Sequence, residues 1–343
     1  MRKKVLLILG ILLLVLLGIG GSFAMMYYND NVKANFSEEY VLYVYPDMDS
    51  QEVLDSLESV VCNSRSLARC FEKEDVASKM KPGRYVIKPE STSIYVARML
   101  NFGWQTPQNL TLSGTIRNKG VLAKKISNQM MVDSASVAFF LNSEETLAKY
   151  GFTPENVFAM FLPDTYQMYW TASVEEIFDR MKKEYDAFWT PERVAKAETQ
   201  RLSRMQVSIV ASIVSGETLK SFEYPLIAGV YLNRYRKGMK LQADPTVAFC
   251  HGYTLDRILK KHLTVDSPYN TYKYAGLPPA PINVPPKACI DAVLNPDKHG
   301  YIYFCASPDM DGTHRFAVTY KEHQKNAREF HRALTAKRKA SQK

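Results

Sequence analysis

Hydrophobic positions follow three rhythms along this chain. Val5 to Tyr28 runs 24 residues without a charge, directly after Arg2, Lys3 and Lys4. At 1.5 Å per residue such a run crosses a hydrocarbon core of about 30 Å, so it predicts a membrane helix. The stretch "EYVLYVYP" alternates and is rich in Val and Tyr, as a strand is. "SQEVLDSLESV" instead spaces Val53, Leu54, Leu57 and Val60 along one helix face, with Ser50 as the expected N-cap. "KPGRYVIKP" reads as a short strand and "STSIYVARMLNFG" as a helix stopped at Gly103. This strand, helix, strand, helix order predicts a small α/β module with its own core.

A second unit opens at "NLTLSGTIRNKGVLAKKISNQM", with a strand at Leu110 to Leu112 and a helix from about Lys119. Helical spacing recurs over Ser143 to Tyr150 and Ser173 to Trp189, on either side of the aromatic turn "FLPDTYQMYW". Arg201 to Val214 reads as a buried helix. Tyr224 to Lys237 reads as a helix with Pro225 in its first turn, basic residues at its end and Gly238 as a left-handed stop. A short helix is expected over Thr254 to Lys261. Six prolines among the 21 residues of "DSPYNTYKYAGLPPAPINVPP" predict a fixed, irregular loop. "YIYFCAS" and "HRFAVTY" read as paired strands before a terminal helix from about Lys321. The expected organisation is a cytoplasmic tail (1–4), a membrane anchor (5–28), a polar linker (29–39), the small module (40–104) and a larger α+β unit (105–343).

With 46% hydrophobic residues in 343, the chain has the composition of a globular protein. The basic N-terminus holds that end in the cytoplasm and sends the remainder across the membrane. A cleavable signal peptide is the alternative, since Ser22-Phe23-Ala24 offers a small-x-small pattern, yet the apolar run exceeds a signal h-region of roughly 7–15 residues. The net charge of +9 is spread thinly apart from the tail "TAKRKASQK", which suits attraction to anionic lipid or wall polymer and marks no nucleic-acid stripe. Five cysteines lack zinc-type spacing; an outward location permits a disulfide such as Cys62 to Cys70, and the odd count leaves one thiol over. No HExxH, GxSxG, P-loop or dinucleotide fingerprint occurs, so neither a metal nor a cofactor is expected.

The candidate chemistry begins at "ASIVSGETLK", where an apolar helix ends in Gly216 and Glu217. A poorly solvated carboxyl has a raised pKa and stays protonated near neutral pH, as a general acid must. Gln242, Asp244 and Thr246 in "KGMKLQADPT" can bond a hydroxyl-rich ligand, or Asp244 can cap its own turn. Tyr269, Asn270 and Tyr272 in "SPYNTYKYAG" combine aromatic faces with an amide, a mixture suited to sugar rings and equally to packing down a proline-rich loop. His314 in "DGTHRF" follows a turn, where it points into a site or bonds a carbonyl.

The ordered segments "ASIVSGET", "AGVYLNRYRKGMKLQADPTV", "SPYNTYKYAGLPPAPI", "PPKACIDAVLNP", "YIYFCAS" and "GTHRFAVTYKEH" closely resemble the MltG (YceG-like) family of endolytic murein transglycosylases. "FLPDTY" and "KPGRYVIKP" resemble, more loosely, the run before the family's catalytic region and its small LysM-like module. The resemblance implies a membrane helix, a LysM-like α/β module and a mixed α+β catalytic domain. It implies cleavage of the β-1,4 bond between N-acetylmuramic acid and N-acetylglucosamine within glycan strands, leaving 1,6-anhydromuramyl ends. The family's catalytic glutamate falls on Glu217, and a commonly acidic position two residues before it is Ser215 here. Gln242, Asp244, Thr246, Tyr269, Asn270, Tyr272 and His314 are the expected groove residues, and Gly216 is expected to admit the glycan close to the backbone.

One carboxyl group suffices for such a reaction, because the muramyl 6-hydroxyl replaces the activated water that other glycosidases need. The rivals are a muramidase using water, with Asp244 or Asp164 as second carboxylate, and a non-catalytic wall-binding scaffold. Held at the membrane, the site would meet newly made strands, which suggests peptidoglycan synthases as partners and termination of strand elongation as the role.

Overall fold

The computed structural model describes residues 2–340; Met1, in the expected cytoplasmic tail, and residues 341–343, at the end of the basic tail, lie outside it. The chain divides into two compact units, residues 1–110 with 167–172, and residues 111–166 with 173–343.

The first unit begins with helix α1 (Arg2–Asn31), whose apolar body is exposed. Its last turn is different. Asp30 accepts from Ser66 at 2.6 Å and pairs with Arg69 at 2.7 Å. Past the helix, Asn35 is buried, donating to the Asn63 carbonyl (3.0 Å) and Ser93 Oγ (2.9 Å), and Phe36 joins the core. The segment read as a linker is therefore bonded along its length to the module it precedes.

That module pairs β1 (Tyr40–Val44) antiparallel with β2 (Gly83–Ile87), Tyr40 opposite Ile87. Between them lie α2 (Ser50–Leu57), α3 (Ser64–Lys73) and α4 (Val76–Lys79), and α5 (Ser93–Phe102) follows. Leu42, Leu57, Leu67, Tyr85, Ile87 and Leu100 fill the core. The α2 cap is Asp49, not the expected Ser50, because its carboxylate accepts from Gln51 and Glu52 while Glu52 reaches back in a capping box. Gly103 ends α5, as expected, and does so at φ 67°, in the left-handed conformation that glycine adopts without strain. The returning segment adds Trp170, set edge-on against Tyr43 and Tyr45 at 4.9 and 4.8 Å.

The chain passes between the units within β3 (Gln108–Thr111) and β4 (Thr165–Met168). The second unit holds α6 (Lys119–Ser127), α7 (Ser134–Asn142), α8 (Glu144–Ala148), α9 (Val174–Phe188), α10 (Pro191–Thr199), α11 (Arg204–Glu217), α12 (Tyr224–Arg236), α13 (Asp244–Cys250) and α14 (Lys287–Leu294). It closes with the antiparallel hairpin β5 (Tyr303–Ala306) and β6 (His314–Ala317), then α15 (Tyr320–Ala340). The helix expected over Thr254 to Lys261 is absent; most of that stretch is irregular, and a 3₁₀ turn covers Lys260–Thr264. Its apolar Leu259 lies exposed, and Tyr253 just before it turns inward, its hydroxyl donating to the Ile282 carbonyl at 2.7 Å. All five cysteines are free thiols.

Helix α11 is the axis of this unit. Every residue from Val207 to Val214 is buried, including Ser208 and Ser212. Asn283 donates to the Ser212 carbonyl at 2.8 Å and accepts from Ser215 Oγ at 3.0 Å, so the proline-rich loop is laced to the helix. Helix α12 approaches the 297–299 segment through Gly229, where an added Cβ would stand 2.6 Å from His299 Nε2 and 2.9 Å from the Asp297 carbonyl. Gly229→Ala is therefore expected to lower the melting temperature, an overpacking cost of about 1–3 kcal/mol outweighing the ~1 kcal/mol of helix propensity that alanine gains.

Candidate active site

Glu217 is the last residue of α11, and Thr218 turns extended at φ −146°, ψ 152°. The apolar helix delivers this carboxyl to the floor of a cavity of about 430 Å³. Its hydrogen-bond partner among the described residues is Tyr231 of α12, whose buried hydroxyl donates to Glu217 Oε1. Burial pushes the Glu217 carboxyl up to about 7; the Tyr231 bond pulls the other way, and the nearby Asp244 charge adds to the rise. The Tyr231 hydroxyl is itself held well above its usual range by burial and by Glu217, so it remains a donor.

Arg234, one turn beyond Tyr231, is 7% exposed. It donates to the carbonyls of Lys240 (3.1 Å) and Ile302 (3.3 Å) and to Gln242 Oε1. These bonds hold Gln242 at φ 51°, a left-handed conformation that ordinary side chains avoid, with its N–H on the Thr271 carbonyl at 3.1 Å. Asp244 opens α13 at the cavity rim and accepts from the Tyr272 hydroxyl at 2.6 Å. It does not cap its own turn. The opposite wall is the β5–β6 hairpin, with Phe304 edge-on to His314 at 5.3 Å.

Of the sequence-derived candidates, Glu217, Gln242, Asp244, Tyr272 and His314 line this cavity. Thr246, Tyr269 and Asn270 do not. Thr246 is fully buried, bonding the Ala243 carbonyl (2.7 Å) and Thr271 Oγ1 (2.9 Å). Asn270 is likewise buried and donates to the carbonyls of Leu263 (3.0 Å) and Val265 (2.7 Å), while Tyr269 packs on Phe249 at 4.6 Å. These polar groups bind the loop to α13 and to itself. Asp164 is engaged elsewhere too, with Lys287 and the Thr165 N–H. Gly216 lets the chain's own Pro245 approach closely, since a Cβ there would lie 2.6 Å from Pro245 Cβ.

Tyr231, Arg234 and Glu223 belong to no motif in the sequence: Tyr231 falls on the apolar face of its helix and Arg234 among the basic residues at its end, and an arginine three residues after a core tyrosine is the one available signal. Glu223 is 2% exposed and accepts from His314 and Thr218. Among the described residues no group of three or more His, Cys, Asp or Glu is placed to hold a metal ion.

The YceG-like family profile matches residues 42–329 of this chain. The chain is 37% identical over 153 residues to an endolytic murein transglycosylase of Bacillus subtilis (strain 168), covering 45% of this chain and 42% of that protein. It is 25% identical over 351 residues to an endolytic murein transglycosylase of Streptococcus pneumoniae (serotype 2, strain D39), covering 92% of this chain and 63% of that protein. The matches thus span less than two thirds of either relative. A crystal structure of a yceG-like protein from Listeria monocytogenes superposes with a TM-score of 0.56 at 26% identity, covering 84% of this chain and 98% of that one.

The raised Glu217 carboxyl has a consequence for stability. Its folded-state value lies above the unfolded 4.5, so its stabilising contribution is complete below pH 4.5 and is lost as pH rises through about 7. The loss is on the order of 3 kcal/mol at full ionisation. Glu217→Gln, which keeps an acceptor for Tyr231, should therefore melt at a higher temperature than the wild type at pH 8 and at nearly the same temperature at pH 4.

Proposed function

The chain belongs to the YceG-like family, and from that premise we propose that it is a membrane-anchored endolytic peptidoglycan transglycosylase with Glu217 as its single acid/base. The observation that carries this reading is one carboxyl at the end of a buried helix, bonded by Tyr231 on one oxygen and open to a polar cavity. Tyr231 donates to Oε1, so the proton of the neutral acid sits on Oε2. That proton goes to the glycosidic oxygen as the bond from muramyl C1 breaks, releasing the N-acetylglucosamine hydroxyl. The resulting carboxylate takes the proton of the muramyl 6-hydroxyl as O6 bonds to C1, closing the 1,6-anhydro ring and restoring the acid. Atoms balance without water.

Asp244 stands beside Glu217, where its negative charge steadies the positive character of C1 in the transition state. Tyr272 holds one of its oxygens and keeps it aimed. Gln242 and His314 offer hydrogen bonds to sugar hydroxyl and acetamido groups. The same Asp244 favours a second reading, a muramidase in which it activates water.

Helix α1, thirty residues long and apolar enough to cross a membrane, supplies the anchor, with the basic end in the cytoplasm and the chain after it on the outer face. Newly made strands and their synthases are the partners this placement favours.

Mass spectrometry of glycan strands incubated with the full chain and with Glu217→Gln tests the reaction. Internal fragments ending in 1,6-anhydromuramic acid, absent with the variant, are expected. Reducing ends would establish the muramidase, and uncut strands a scaffold. Because the free enzyme must carry the acid proton, kcat/KM should fall about tenfold per pH unit above about 7.

A further inference from the structure

Behind His314, which lines the cavity, lies a buried carboxylate that the acid/base chemistry does not use. Glu223 sits in the 3₁₀ turn before α12, and its two oxygens accept three bonds. Oε1 takes the His314 backbone N–H at 2.7 Å; Oε2 takes His314 Nδ1 at 2.9 Å and the Thr218 hydroxyl at 3.1 Å. The Thr218 oxygen already accepts the Lys220 N–H at 3.0 Å, which leaves its own proton for Glu223.

Burying a carboxylate is costly unless donors replace its water, so this group persists for what it holds. A carboxylate only accepts, hence Nδ1 of His314 carries a proton, and in the neutral ring Nε2 carries the lone pair. His314 lines the cavity, and among the described residues its Nε2 has no hydrogen-bond partner. Through Thr218 the same carboxylate ties the end of α11, next to Glu217, to the hairpin that carries His314.

We propose that Glu223 is a positioning residue that fixes His314 as the Nδ1–H tautomer, so that Nε2 accepts a hydrogen bond from a hydroxyl or acetamido N–H of the glycan lying against Glu217. The proposal rests on the glycan-cleaving reading of this cavity for the identity of the ligand.

Two-bond ¹⁵N–¹H spectra of the full chain read the tautomer directly: Nδ1–H is expected in the wild type and a shift towards Nε2–H in Glu223→Gln. Binding of a murein glycan oligosaccharide is then measured in the Glu217→Gln background, where no cleavage intervenes. His314→Asn and Glu223→Gln should each weaken binding about tenfold, one hydrogen bond's worth, and together no more than His314→Asn alone. An Nε2–H tautomer in the wild type, multiplying losses, or undiminished affinity in His314→Asn would overturn the proposal. Should Glu223→Gln fail to fold, the wild-type spectrum and His314→Asn still decide. A wild type that binds glycan with this coupling but never cuts it would sink the cleavage reading and leave the role of Glu223 standing.

Discussion

Glu217 and Tyr231 share a hydrogen bond within an apolar frame, and much of the second unit is arranged so that this bond can exist. Helix α11 is buried on all sides from Val207 to Val214, so its final residue emerges into a site with little water. Tyr231 reaches it from α12 because Gly229, on the same helix, lets α12 lie against the 297–299 segment. Gly216 does the corresponding job on the other side, letting Pro245 seat α13 against α11 and bring Asp244 near the acid.

Two carboxyl groups that line the cavity, Glu217 and Asp244, and one behind His314, Glu223, have three environments, and the number of donors each receives separates them. Glu217 receives one hydroxyl and is held neutral by burial to about pH 7. Asp244, exposed at the rim, receives the Tyr272 hydroxyl. Glu223, the most deeply buried, receives three donors. Pushing neighbouring carboxyl groups into different environments is how one fold assigns different tasks to the same chemistry. The basic partner here, Arg234, spends its donors on carbonyls and Gln242 and so shapes the cavity edge without neutralising the acid.

The first unit shows the same economy at its N-terminal end. Asp30, at the close of α1, pairs with Arg69, and Ser66 links Asp30 to Ser93 at the start of α5. A helix whose last turn is bonded in this way transmits its orientation to the module, where a flexible tether would not.

Interactions within a few residues were legible from the sequence: the helix stops at Gly103 and Gly238, Pro225 in the first turn of α12, the apolar run of α1 and the β5–β6 hairpin all follow from local sterics and periodicity. So did the placement of Glu217 at the end of a buried helix, since a 3.6-residue period carries that information in one short stretch. Tertiary structure alone decided which polar groups meet. Tyr231 lies 14 residues from Glu217, and Glu223 lies 91 from His314, separations over which no periodicity runs. For the same reason Thr246 and Asn270, chemically suited to a ligand, are bonded within the protein instead, Thr246 joining α13 to Thr271 and Asn270 holding its own loop. A residue type states which bonds it can make, and only packing, which must satisfy every buried polar group at once, determines where those bonds go.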